Sequence, residues 1–133
     1  MTEPADAWFA ATHEWVRVDG DELILGASDY VPLHLGDIIH VELPEPDDHH
    51  YEEGEDFMTL ESLEGAIDLH APLACTITAV NHTLHHKPEL INDDPYGAGW
   101  LVRLRPDNMA DIDELMDYHE YEVGLPSDPD EDS

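Results

Sequence analysis

The stretch Phe57-Met-Thr-Leu-Glu-Ser-Leu-Glu-Gly-Ala-Ile-Asp-Leu-His-Ala-Pro72 decides how the chain is read. Two apolar-rich arms, Phe57 to Leu60 and Ile67 to Ala71, flank a short polar link centred on Glu64-Gly65. Apolar runs with β-branched and aromatic members, joined by a short glycine-containing link, specify a β-hairpin. The tip of such a hairpin faces solvent, where a chain places a group that must reach a partner. Glu64 therefore becomes the residue to explain.

On either side of this hairpin the sequence alternates and breaks at short intervals. His13-Glu-Trp-Val-Arg-Val18 and Glu22-Leu-Ile-Leu-Gly-Ala27 pair around a turn at Asp19-Gly20-Asp21. A short helical element is expected near 28–35, with Ser28 as N-cap, Leu33 and Leu35 as apolar contacts, and Gly36 as its end. Pro32 keeps it short. Asp37 to Leu43 is a strand stopped by Pro44-Glu-Pro46, and 47–54 is a polar loop. Leu73 to Val80 is strongly β, with Thr76 and Thr78 alternating against Cys75, Ile77 and Ala79. Residues 81–87 form a connection, 88–91 a helical turn, and Trp100 to Arg105 the last strand.

Met109, Ile112, Leu115 and Met116 then recur at helical spacing, with Asn108 as N-cap and Asp111, Asp113 and Glu114 on the solvent face. A further helical segment is expected from Tyr118 to Leu125, broken by Gly124 and Pro126. Six or seven short strands followed by a helix make a mainly β fold, a small sandwich or flattened barrel with a helix packed on it. The expected organisation is a flexible N-terminus at 1–7, one domain at 8–125, and an acidic disordered tail at 126–133.

Charge narrows the range of partners. The 133 residues contain 33 Asp and Glu against 4 Lys and Arg, a formal charge of -29. Such a chain repels nucleic acid and anionic membrane surfaces and suits a basic partner or a high-salt setting. No apolar run is long enough to span a membrane and no signal-peptide pattern opens the chain, so a soluble cytoplasmic monomer is expected. Cys75, the single cysteine, lies in an apolar run and reads as a buried small hydrophobe. No residue set points to catalysis; Trp15 and Trp100 belong to the packed body.

The 10 histidines raise a metal question. His82, His85 and His86, with Glu89 as a fourth group, have spacing that permits zinc or nickel ligation. The plainer reading is a histidine-rich solvated connection without preorganised geometry. A surrounding cloud of carboxylates would also favour protonated imidazoles, so pH sensing is a further alternative.

His13-Glu-Trp15, Leu35-Gly-Asp-Ile38, Val41-Glu-Leu-Pro44, Glu61-Ser62, Asp68-Leu-His-Ala-Pro72, Pro88-Glu-Leu-Ile-Asn92, Asp94-Pro-Tyr-Gly97 and Gly99-Trp100 occur in one order and spacing. Together they resemble the glycine cleavage system H protein family over about residues 12–120. The resemblance implies a flattened lipoyl/biotinyl-type β-barrel sandwich hybrid. It also implies a carrier, not an enzyme: lipoate is joined by an amide to a lysine on a hairpin tip. The arm then visits a pyridoxal-phosphate decarboxylase, a folate-dependent aminomethyltransferase and a flavin-dependent dihydrolipoyl dehydrogenase.

At the position where the family places that lysine, this sequence has Glu64, within Glu61-Ser62-Leu63-Glu64-Gly65-Ala66. A carboxylate cannot form the lipoyl amide. The only lysine is Lys87, a position where family members that have the usual attachment lysine also carry one. The resemblance therefore implies a homologue without covalent lipoate, with Glu61, Ser62, Leu63, Gly65 and Ala66 kept as the neighbours that a lipoyl ligase would recognise. A non-shuttling paralogue, scaffold or regulator that docks the family's enzymes is the first expectation. A diverged interaction module with histidine-linked metal or pH control is the alternative.

Overall fold

The computed structural model describes residues 7–10, 12–43 and 50–123. The expected flexibility of residues 1–6, the strand stop at Pro44 to Pro46, the start of the polar loop at 47–49, the break at Gly124 and Pro126, and the acidic tail lie outside them. Ala7, the last residue of the expected flexible arm, is buried.

Among the described residues nine strands form two antiparallel sheets. The larger has the order β1-β2-β3-β9-β8-β5. Its strands are β1 (Trp8–Phe9), β2 (Glu14–Asp19), β3 (Glu22–Ala27), β5 (His50–Tyr51), β8 (Cys75–Val80) and β9 (Val102–Pro106). The smaller sheet has the order β4-β6-β7, from β4 (Ile38–Glu42), β6 (Asp56–Ser62) and β7 (Gly65–His70). Of the short helices, α1 (Tyr30–Leu35) joins β3 to β4 across the two sheets, α2 (Leu90–Asp93) lies between β8 and β9, and α3 (Tyr118–Val123) follows β9. The fold is an open, mainly β sandwich.

Alternation along the strands builds the core. Leu23, Leu25, Ile77 and Leu104 of the larger sheet, and Leu60 and Leu69 of the smaller, are fully buried in one cluster. Each such side chain contributes roughly 2 kcal/mol by leaving water. A surface ion pair is worth about 0–1 kcal/mol; Arg103 pairs with Asp19 and Glu22, and the other carboxylate pairs among the described residues are made by His50 and His70. Apolar burial, not charge pairing, holds this carboxylate-rich chain together. A second cluster gathers Phe9, Trp15, Tyr96 and Tyr121. There Phe9 stacks on Tyr121, with ring centroids 4.7 Å apart.

Several local expectations change. The segment from Met109 to Met116 is not an α-helix: residues Met109–Glu114 form a 3-10 turn. Met109, Ile112 and Leu115 are spaced by three, the 3-10 period, and all pack against the core. Met116 is then drawn into backbone bonds with Phe9, Met116 N to Phe9 O at 2.9 Å and Phe9 N to Met116 O at 2.7 Å. Asn108 does cap, its side chain accepting from Ala110 N at 3.1 Å.

At α1 the flanking residue is Asp29, without a side-chain capping bond. Ser28 is engaged elsewhere, its Oγ 2.6 Å from the Tyr121 hydroxyl. Leu33, expected to pack, is 74% exposed. Pro32 fits because it stands in the first helical turn, where backbone N–H groups lack helical partners anyway. The polar loop contains β5, which pairs His50 with Thr76 and Tyr51 with Cys75. Within β8 the alternation slips at Thr78, where the register with β9 shifts between Ile77 and Ala79.

Candidate functional site

The central hairpin is β6 and β7, paired from Asp56 with His70 to Ser62 with Gly65. The two-residue turn is thus Leu63-Glu64, one residue earlier than the link expected at Glu64-Gly65. The Ser62 hydroxyl donates to Gly65 O at 2.7 Å and closes the turn internally. Leu63 N donates to Asp37 O at 3.2 Å, which ties the tip to the corner between α1 and β4. That corner is held by Asn92 of α2, whose side chain accepts from Ile38 N at 2.8 Å and donates to Ile38 O at 3.2 Å. The expected motif residues Asn92, Ile38 and Ser62 therefore form one supporting chain beneath the tip.

Glu64 leans back over Gly36, which ends α1 at φ 87°. A β-carbon at Gly36 would lie 3.3 Å from Glu64 Oε2 and 3.6 Å from Leu63 Cβ. The positive φ favours glycine here, whereas the nearest neighbour of that β-carbon is the end of the exposed Glu64 side chain, which can shift. Glu64 makes no hydrogen bond or ion pair with a described residue. Leu63 is 70% exposed, and Glu61, Gly65 and Ala66 are exposed beside it. Glu61 lies opposite His40 in β4 and Ala66 in β7. The six expected site residues are therefore together, with Ser62 the one buried as support.

The tip offers a carboxylate and no amine, and residues 56–70 contain no lysine. These residues do not fit an amide-linked prosthetic group. Lys87 is exposed, its backbone N donating to Thr83 O at 2.9 Å just past the 3-10 turn His82–His85.

The histidine cluster is not assembled as a metal centre. The rings of His82 and His85 are 6.0 Å apart between centroids, and both residues are exposed with His86. Among the described residues no group of three or more His, Cys, Asp or Glu could hold a metal ion. Cys75 is fully buried, and desolvation, with a smaller push from Asp107, raises its thiol pKa to about 12. It is packing, not a nucleophile.

Two features escaped the sequence reading. Glu14 is fully buried between residues of the core. It accepts from the Thr12 hydroxyl, and its Oε2 accepts from His70 N at 2.9 Å. Burial raises its pKa, against the lowering effect of those hydrogen bonds. Nearby, at the base of the hairpin, a cavity of about 480 Å³ is lined by residues that include Phe9, Thr12, Glu53, His70, Glu114 and Met116. A strand of seven residues separates this base from the tip, about 20 Å at the usual rise.

The second is an imidazole clamp on edge strand β5. His50 Nε2 lies 2.8 Å from Asp107 Oδ2, and Nδ1 lies 3.7 Å from Glu52 Oε1. Its hydrogen bond to Asp107 raises the His50 pKa; desolvation offsets part of this, and the charges of Asp107, Glu52 and Glu55 add smaller upward contributions.

The two-sheet sandwich with its projecting hairpin defines a lipoyl-domain type of fold. Comparison with known proteins gives the particular family. The profile described as "Glycine cleavage H-protein" matches residues 7–127. A glycine cleavage system H protein of Acinetobacter baylyi is 43% identical over 125 residues, covering 94% of this chain and 100% of the relative. One from Thermus thermophilus is 44% identical over 127 residues, covering 96% and 98%. The crystal structure of a glycine cleavage system H protein from Mycobacterium marinum superimposes with a TM-score of 0.81 at 34% identity, covering 92% of this chain and all (100%) of that one.

The chain belongs to the glycine cleavage H-protein family. That family carries covalently attached lipoate and works with the enzymes of glycine cleavage; it is a carrier family. Among the described residues no helix is long and apolar enough to cross a membrane.

Proposed function

We propose that this chain is an H-protein homologue that keeps the docking hairpin but does not carry lipoate. Glu64 stands where the family's attachment lysine belongs. The chain would act as a non-lipoylated paralogue, scaffold or regulator that docks the family's decarboxylase, aminomethyltransferase or dihydrolipoyl dehydrogenase. Residues 8–125 would make up the docking domain, working as a monomer in the cytoplasm.

One observation carries this reading. The hairpin, its internal Ser62–Gly65 lock and its support from Asn92 are intact, while the turn presents a carboxylate. Loss of the hairpin would argue for a diverged fold; an intact hairpin with a changed tip argues for docking without the arm. Binding of the purified chain to each of the three enzymes tests it, with a lipoylated H protein alongside. Association in the micromolar range with at least one enzyme is expected; none at tens of micromolar, while the control binds, contradicts it.

A second reading, an interaction module under pH control, is favoured by the His50–Asp107 contact. It is distinguished by binding that changes between pH 6 and 8 and is lost from that dependence in His50→Gln.

A further inference from the structure

We infer that the hairpin tip recognises a lysine or arginine set within an apolar surface of a partner protein. This rests on the reading of the tip as a docking element and names the chemistry of what it meets.

Two exposed leucines belong to the two elements that meet at this corner, Leu63 to the hairpin tip and Leu33 to α1. Leu63 Cβ is 3.6 Å from the β-carbon position of Gly36, and Leu33 lies one helical turn before it in α1. Their exposures are 70% and 74%, and Ile39, three residues after Gly36, is also exposed. Scattered apolar residues need no explanation, but Leu63 adjoins a carboxylate with no partner among the described residues, and both stand over Gly36.

The electrostatics of that carboxylate supply the second argument. Glu64 Oε2 rests beside the C-terminal end of α1. Unpaired carbonyls there carry partial negative charge and favour a cation. The surrounding chain is itself strongly anionic, with Asp37 and Glu61 exposed close by in the sequence of the corner and hairpin. Glu64 is therefore placed against the local field, and no described group neutralises it. A cationic group docked on Glu64 would relieve that repulsion while the exposed Leu63 beside it is covered. A second copy of the chain is disfavoured as the occupant by charge: two chains of formal charge -29 repel.

The test has two arms. In the first, ¹⁵N spectra of the full chain are followed while a capped nine-residue peptide with one central lysine flanked by leucines is added. Amide shifts confined to 33–39 and 61–66 are expected. They should disappear with the lysine acetylated, or in Glu64→Gln. No shifts at millimolar peptide, shifts spread over the whole acidic surface, or shifts indifferent to Glu64→Gln overturn the inference.

In the second arm, affinity for the decarboxylase, aminomethyltransferase and dihydrolipoyl dehydrogenase is measured for wild type, Glu64→Gln, Glu64→Lys and Leu63→Asp. Each substitution should weaken binding by about tenfold or more, as expected for a desolvated contact at an interface centre. Enzyme binding that is unchanged in Glu64→Lys and Leu63→Asp overturns this inference and leaves the docking function standing. Localised, charge-dependent peptide shifts without enzyme binding have the reverse meaning.

Discussion

The Trp15 indole lies directly over Gly26, its partner across the β2–β3 pair. A β-carbon at Gly26 would sit 2.6 Å from ring atoms Cε2 and Cζ2. The indole N–H donates to both Ala27 O and Pro95 O, each at 3.1 Å. The ring is therefore fixed on all sides, and a methyl group at residue 26 has nowhere to go.

Gly26→Ala is expected to destabilise the fold by about 1–3 kcal/mol, the usual cost of overpacking a dense core. Urea unfolding measures it. Gly20→Ala is the comparison: nothing lies within 4 Å of its β-carbon position, so only the positive φ of 70° opposes it.

Glu14 sets a pH dependence of one sign. Burial raises its pKa in the folded chain, so across the interval between the unfolded and folded values the native state holds more protons. Stability then falls as pH rises through that interval, from the ordinary carboxyl value of about 4.5 upward. Glu14→Gln should flatten this slope in unfolding experiments run at stepped pH. It should retain acceptance from His70 N through its amide oxygen.

His50 gives a separate dependence. Its folded pKa is raised, first by the hydrogen bond to Asp107, so its contribution is fully present below the unfolded value of about 6.5. That contribution is lost as pH rises through the folded value. Imidazole NMR should find His50 titrating above the free value, and Asp107→Asn should bring it down.

Much of this architecture was legible because strands with one buried face write their pattern into the sequence. The β2–β3 pair and the central hairpin follow from alternation and glycine-marked turns. What was not legible depended on distant partners. Ser28 reads as a cap until Tyr121 arrives from 93 residues away in sequence. The segment at 109–116 reads as an α-helix because spacings of three serve both helix types, and the β1 contact with Met116 decides between them. β5 is too short and polar to recognise without its neighbour β8. For the candidate site, the hairpin and Glu64 were visible in the sequence. The buried Glu14 was inside a quoted motif, yet nothing local marks an acid whose partners are Thr12 and the backbone of His70.

A gain of function is expected from Glu64→Lys. The turn, its Ser62 lock and Glu61 stay in place, and the new ammonium lies beside the C-terminal end of α1, where a cation is favoured by about 0.3–1 kcal/mol. Incubated with lipoate, ATP and a lipoyl ligase, the variant should acquire the lipoyl group at residue 64, while wild type does not. An unmodified variant would mean that the turn has lost recognition as well as the nucleophile.

The most direct measurement is the intact mass of the wild-type chain purified from cells that lipoylate their other carrier proteins. The expected result is an unmodified chain of 15.0 kDa, whole or trimmed only at its ends. A lipoyl addition, mapped by peptide sequencing to Lys87 or any other residue, would contradict it.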